Sequence, residues 1–285
     1  MIKYLIISSG GQDFLKQFAA LYTLIKNGFF KVENIEKMYG TSAGSIVSML
    51  LSLKLDIDIV YNYIIERPWE KLFNIDTEKL FLSYTNNGIF NYDLFKECFK
   101  PLIKLTELKD NFTFKDLYDY TGKKHFFFST SCNSFETKEF SFDKTPNMCV
   151  LKACYMSSSI PILFIPIKHE NIFYIDGFFS CRFPMHEFLK DNSGCNLDDI
   201  LGIDLYSKKS NEINNENMMT FNIGLLNNFV KKIRKKRYKK KIKYILQVRD
   251  GSYIDFYKVL RIKQKRIEYL ESGKKDAEIF MKYFE

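Results

Sequence analysis

The sequence predicts an α/β domain with a mainly parallel sheet, and three observations carry that expectation. Short apolar runs alternate along the chain with segments whose apolar residues recur at helical spacing. No stretch repeats another, and no Gly-, Ser- or Pro-rich linker divides the 285 residues, so a single domain over 1–285 is expected. Hydrophobic residues make up 46% of the chain against only 13 Gly and 6 Pro, which supports a large core and excludes disorder and collagen-like repeats.

Each element follows from the local pattern. Residues 4–8 read as a buried strand entering a turn at Gly10 and Gly11; the apolar run is too short for a secretory signal. Over 14–26, Phe14, Phe18, Leu21, Leu24 and Ile25 recur at helical spacing. A short apolar approach over 37–39 meets Gly40, and 43–53 reads as a buried helix. Helices are expected over 56–66, 92–105 and 114–120, the last with Thr113 as its N-cap. Strands over 125–132 and 137–142 precede a helix over 147–158 and a short strand over 172–175 that ends at Asp176 and Gly177. Late strands over 200–206 and 244–249 and a helix over 264–284 close the chain, while polar, Asn-rich 207–217 reads as a surface loop. No apolar stretch reaches the ~18 residues that a membrane-spanning helix needs. Six cysteines between Cys98 and Cys195, without a C-x-x-C pair, point to a reduced intracellular chain and away from a cysteine metal site.

The sharpest chemical signal is the run from Gly40 to Gly44, a G-x-S-x-G pattern centred on Ser42. Two glycines let a strand bend sharply into a helix and leave the serine oxygen exposed at the sheet edge. Chance would supply about 0.04 such matches in a chain of this composition. The competing reading is a glycine-rich turn whose serine only caps the following helix. A catalytic triad needs a histidine, and only His125, His169 and His186 exist. An α/β-hydrolase places several strands before its serine, whereas only about forty residues precede Ser42 here, and His186 lies ten residues after Asp176, poor spacing for that fold. Asp176, at the end of an apolar strand, is the other candidate base: a carboxylate beside a serine hydroxyl takes its proton directly if partial desolvation raises its basicity. An ordinary Asp-Gly turn is the plainer alternative. Gly10 and Gly11, between the first strand and the first helix, suit an oxyanion, because glycine lets backbone N–H groups approach and the helix dipole favours an anion there; a phosphate-binding or purely structural turn would look the same.

Taken in order, these pieces resemble one family, the patatin-like phospholipases. Its members run a glycine-rich oxyanion turn, then G-x-S-x-G, then a distant D-G. The stretch from Ala153 to Pro166 is similar to the family's segment ahead of the D-G strand, Tyr174 to Phe179 followed by Phe183 and Pro184 to its aspartate region, and Tyr269 to Gly273 to its closing helix. The resemblance implies a three-layer fold with a mainly parallel central sheet flanked by helices. It also implies Ser42 as nucleophile, Asp176 as base and Gly10 and Gly11 as oxyanion donors, with Gly40, Gly44 and Gly177 supporting the motifs. The implied reaction is hydrolysis of acyl esters in membrane lipids, phospholipase A-type, without metal or other cofactor. One departure stands out: Ser9 replaces the first glycine, and Asp13 and Phe14 stand where the family has a basic residue and a glycine. A negative charge there is expected to weaken anion stabilisation unless Lys16 compensates.

The formal charge of +9 is local. Ten of the thirteen residues over 231–243 are basic, which leaves the remainder close to neutral. With Leu225, Leu226, Phe229, Val230 and Ile233 ahead of it, the segment 225–243 has the composition of an interfacial helix on anionic lipid, with Lys235, Lys236, Lys239 and Lys240 as candidate contacts. A solvated basic loop, an import signal and a nucleic-acid patch are the rivals, and Tyr238 as the sole aromatic in the run disfavours the last. The expected location is therefore cytoplasmic with peripheral membrane contact. Two further functional readings share these residues: a catalytically weak protein that keeps the fold and binds anionic membrane, and a soluble serine esterase of another α/β type using His186.

Overall fold

A computed structural model describes residues 1–206, 242–251 and 255–284, together with 221, 222, 224, 225 and 228. The expected loop over 207–217, most of the basic segment 225–243, and Lys235, Lys236, Lys239 and Lys240 lie outside the described residues. The strands are β1 (Tyr4–Ile7), β2 (Lys37–Thr41), β3 (Gly88–Phe90), β4 (Lys124–Ser131), β5 (Thr137–Ser141), β6 (Ile162–Phe164), β7 (Ile167–His169), β8 (Ile172–Asp176), β9 (Ile200–Tyr206) and β10 (Tyr244–Arg249). The helices are α1 (Phe14–Lys26), α2 (Ala43–Leu51), α3 (Ile57–Glu66), α4 (Trp69–Leu72), α5 (Thr77–Asn86), α6 (Tyr92–Ile103), α7 (Phe114–Thr121), α8 (Val150–Ser157), α9 (Met185–Asp191), α10 (Asp255–Arg261) and α11 (Lys263–Met281).

The main sheet runs β10-β9-β1-β2-β4-β8-β7, with β5 also on β4; β3 and β6 form a separate parallel pair. From β10 to β4 every pairing is parallel, and β5, β7 and β8 join antiparallel. Strand alternation separates the two faces: Leu5, Ile7, Met38 and Phe127 enter the larger core, while Ile6, Tyr39, Phe126 and Phe128 enter a smaller one. Phe18 of α1, Val47 of α2, Ala153 of α8 and Leu270 of α11 cover the first face, and Met185 and Phe188 of α9 the second. Both faces being covered explains why the central strands are continuously apolar. Thr113 caps α7 in a reciprocal capping box with Asp116, as its position predicts.

Several elements differ from the pattern-based expectation. The helix expected from 147 starts at Val150, because the chain before it is drawn into a bridge between Cys149 and Thr113. The short elements α4, α5, α9, α10, β3, β6 and β7 had no counterpart in the pattern. Among the described residues no helix is long and apolar enough to cross a membrane.

Candidate active site

Ser42 sits between the last residue of β2 and the first of α2 at φ 54°, ψ −121°, a conformation a non-glycine residue holds only under local constraint. Its neighbours supply that constraint. A Cβ on Gly40 would stand 2.5 Å from the Gly44 carbonyl oxygen, and one on Gly44 would stand 2.3 Å from the carbonyl oxygen of Ile7 on β1. Both glycines therefore permit close backbone approach. The Ser42 N–H donates to Ser157 Oγ (2.8 Å), and that hydroxyl donates to the Phe128 carbonyl (2.6 Å). The Ser42 carbonyl accepts from the Ser45 N–H and Oγ.

Strand register brings Asp176 to this turn. On β4, β2 pairs along Lys124–Phe128 and β8 along Ser129–Ser131, while β5 overlaps both and must occupy the opposite edge. β2 and β8 thus lie end to end on one edge, with Thr41 opposite Phe128 and Asp176 opposite the next residue, Ser129. The two C-terminal strand ends abut, although 134 positions separate Ser42 from Asp176 in sequence. Gly177 permits the junction: a Cβ there would be 2.1 Å from the Phe128 carbonyl oxygen. Asp176 is 1% exposed, and its Oδ2 accepts from Ser42 Oγ at 2.6 Å. Its Oδ1 accepts from the Phe178 N–H at 2.7 Å, which leaves Oδ2 facing the serine. The Asp176 backbone is held by the Ser159 carbonyl and by Thr130 Oγ1. A carboxylate so fixed is placed to accept the Ser42 proton as the oxygen attacks an acyl carbon.

Gly10 and Gly11 follow β1, whose Ile7 pairs with Gly40, so their turn lies alongside the Ser42 turn. Gly11 has φ +52°, favoured by glycine, and shares a cavity wall with Ser42. Among the described residues, neither the Gly10 nor the Gly11 N–H donates to a protein acceptor. Asp13 is paired with Lys16, the compensation that the sequence left open. Its carboxylate turns away into a buried clasp, 3.0 Å from Lys16 Nζ, with side chains 3% and 7% exposed. It also accepts from the Gly251 N–H at 2.9 and 3.1 Å. Lys16 in turn donates to the Arg249 carbonyl and lies over the Tyr269 ring. Burial raises the Asp13 carboxyl above its ordinary value, against the pull of Lys16 and the Gly251 N–H. The charge is spent structurally, joining the glycine turn to the end of β10 and to α11.

None of the histidines hydrogen-bonds Ser42. His125 is buried on β4 against Ser52 Oγ (2.7 Å), and burial pushes it down to about 3. His169 ends β7 beside Glu170, and His186 lies half-buried on α9. Among the described residues no cluster of three His, Cys, Asp or Glu could hold a metal ion.

Ser42 lines a cavity of about 100 Å³, walled mainly by carbon from α1, α2, α3, α4, α6 and α10. Sequence reasoning missed this wall, as well as Ser157, Thr130, Ser158 and Arg266. Ser158 and Arg266 line the cavity with buried polar atoms that lack a hydrogen-bond partner among the described residues. Ser157 and Ser158 fall within the stretch already singled out by resemblance, but nothing in their spacing announces a partner across the fold.

The family model described as patatin-like phospholipase matches residues 5–189. A probable lipid hydrolase of Invertebrate iridescent virus 6 is 29% identical over 191 residues, 66% of this chain and 63% of that protein's length. An uncharacterized protein of Acanthamoeba polyphaga mimivirus is 27% identical over 211 residues, 74% of this chain and 68% of its own. Among solved structures, VipD from Legionella pneumophila superimposes with a TM-score of 0.49 and 14% identity, covering 95% of this chain and 67% of that one.

Proposed function

The chain belongs to the patatin-like phospholipase family, and on that premise we propose that it is a lipid acyl hydrolase cleaving carboxylic esters of membrane lipids, phospholipase A-type, through a Ser42–Asp176 dyad. The observation that carries the reading is the 2.6 Å contact between Ser42 Oγ and Asp176 Oδ2, with Ser42 on the wall of an apolar cavity. With the acyl chain in that cavity, Ser42 Oγ bonds to the ester carbon while its proton passes to Asp176 Oδ2. The Gly10 and Gly11 N–H groups receive the oxyanion. Collapse breaks the ester C–O bond, and Asp176 returns the proton to the departing alcohol oxygen. Water, deprotonated by the same carboxylate, then attacks the acyl-enzyme and releases the fatty acid, with the proton returning to Ser42. No step calls for a metal or cofactor. The basic segment over 225–243, acting within one domain, supplies attraction to anionic membrane.

The test is hydrolysis of mixed-chain phospholipid vesicles together with fluorophosphonate labelling. Ser42→Ala and Asp176→Asn should each abolish both signals while keeping the native circular dichroism spectrum, and joint replacement of His169 and His186 should preserve them. Labelling at a residue other than Ser42, or loss of activity in a folded His169/His186 variant, refutes the dyad. The chain position released from the vesicles decides the A-type assignment.

A further inference from the structure

Among the described residues, the cavity wall holds one cation. Arg266, in the first turn of α11, lines the cavity among such residues as Ile64, Trp69, Phe95 and Leu102, yet it is only 4% exposed. Its Nη1 donates to the Leu260 carbonyl (3.4 Å), and its Nη2 to the Ile65 (3.0 Å) and Arg67 (3.4 Å) carbonyls, near the C-terminal ends of α10 and α3. These helix-end dipoles explain part of its burial. They leave two things unmet. Nε has no hydrogen-bond partner, and Glu70 and Glu66 act on the guanidinium through space without an ion pair among the described residues. A buried donor without an acceptor, on a buried cation whose acidic neighbours act at a distance and do not pair with it, is costly in a wall made mainly of carbon.

We infer that Arg266 makes this cavity a site for a long-chain carboxylate: a free fatty acid binds with its carboxylate on the guanidinium and its chain along the carbon wall. The carboxylate supplies both missing elements, an acceptor for Nε and an anion in direct contact, in the arrangement guanidinium groups favour. A phosphate headgroup offers the same charge but brings a polar backbone that the carbon wall does not suit. Ser42 and Arg266 border one cavity, so a bound fatty acid occupies the space that the substrate's acyl chain needs. This deepens the proposed function and rests on it in one respect: if that reaction occurs, its own product restrains it.

The experiment uses the full chain carrying Ser42→Ala, which separates binding from turnover. Calorimetric titration with sub-micellar oleate and with oleyl alcohol, equal in chain and lacking the charge, should give at least tenfold tighter binding of oleate. Arg266→Met should bring the two ligands within threefold of each other by weakening oleate alone; unchanged alcohol binding certifies that the cavity remains formed. Should Arg266→Met not fold, because it also caps two helices, the oleate-to-alcohol ratio with arginine in place decides, supported by slowed fluorophosphonate labelling of native Ser42 by oleate and not by the alcohol. Equal affinity for the two ligands, or a preference that survives Arg266→Met, overturns the inference. Carboxylate-selective binding in a protein that hydrolyses no ester leaves the site standing and removes the proposed function; hydrolysis without carboxylate preference does the reverse.

Discussion

Replacing Asp13 separates two accounts of the glycine turn. If Asp13 faced the oxyanion, Asp13→Arg would strengthen anion binding and speed acylation. The structure reverses that sign. Asp13 is one half of a buried ion pair with Lys16, and its carboxylate receives the Gly251 N–H. Removing one partner of a buried pair costs about 3–5 kcal/mol, because the other charge stays buried without compensation. Arginine at this position adds a second cation beside Lys16 and leaves the Gly251 N–H without its acceptor, a further ~1–3 kcal/mol. The sum approaches the whole stability of many domains, about 5–15 kcal/mol. Asp13→Asn should retain the Gly251 contact and sit near 3 kcal/mol, lowering the melting temperature by roughly 6–12 °C. The Asp13 N–H also donates to the Gly10 carbonyl at 2.9 Å, so disturbing the clasp should displace the turn and slow fluorophosphonate labelling in whatever fraction folds. The double variant Asp13→Leu with Lys16→Met removes both charges and should recover much of the loss, since apolar replacement of a buried pair is often neutral. Thermal and urea unfolding of the singles Asp13→Leu and Lys16→Met beside the double gives the coupling directly. An Asp13→Arg protein that melts like the unmodified chain, or labels faster, refutes the clasp.

Three other outcomes follow from separate parts of the molecule. Gly177→Ala forces a Cβ to 2.1 Å from the Phe128 carbonyl oxygen, so the strand ends must part and labelling of Ser42 should fall about 100-fold, read by competitive labelling of the folded variant. His125 is held neutral down to about pH 3 in the folded state, whereas the unfolded chain takes up a proton near 6.5; its contribution is therefore lost as pH falls from 6.5 towards 3, by up to about 5 kcal/mol. Denaturant unfolding at pH 7, 5.5 and 4.5 should show a shallower acid decline in His125→Gln, and an identical decline in both proteins counts against the assignment. Replacing Lys235, Lys236, Lys239 and Lys240 together by Glu should abolish binding to anionic vesicles at low salt, each cation contributing about 1 kcal/mol, while hydrolysis of a small soluble ester survives.

How far the sequence revealed this molecule depended on the distance over which each feature is decided. α1 spans the expected 14–26, and β9 and β10 the expected 200–206 and 244–249, because each is specified by its own apolar spacing. Ser42, Gly40 and Gly44 were legible for the same reason: a sharp strand-to-helix turn writes its requirement into five consecutive residues. β3 and β6 are three residues each and exist by pairing with one another across the fold, so neither carries a local period. The cavity wall draws on residues from Gly11 to Arg266, and no window contains it. The pairing of Asp13 with Lys16, three residues on, was legible, whereas its contact with Gly251 was not, because that partner lies 238 positions away.

The hydrogen bonds around the two catalytic candidates form one connected frame, which bears on how a strained serine is kept in place. Holding Ser42 at its unusual angles costs on the order of 1–3 kcal/mol, and such strain persists only where surrounding structure over-determines it. Ser157 clamps the Ser42 N–H to the Phe128 carbonyl, the same carbonyl that Gly177 approaches, so Ser42 and Asp176 are referenced to one atom of β4. From Asp176 the frame continues through Thr130 Oγ1, which donates to the Asp176 carbonyl and lies 2.9 Å from Ser180 Oγ. Two residues on, the Arg182 carbonyl accepts the Ser9 N–H at 2.8 Å, immediately before Gly10. The Arg182 side chain is itself anchored to Asp204 on β9 at 2.6 Å, and β9 pairs directly with β1. Serine, carboxylate and glycine turn are thus fixed to three adjoining strands rather than to one flexible loop. For acyl transfer this arrangement matters more than any single contact, since donors preset around a developing charge need no reorganisation when the reaction occurs.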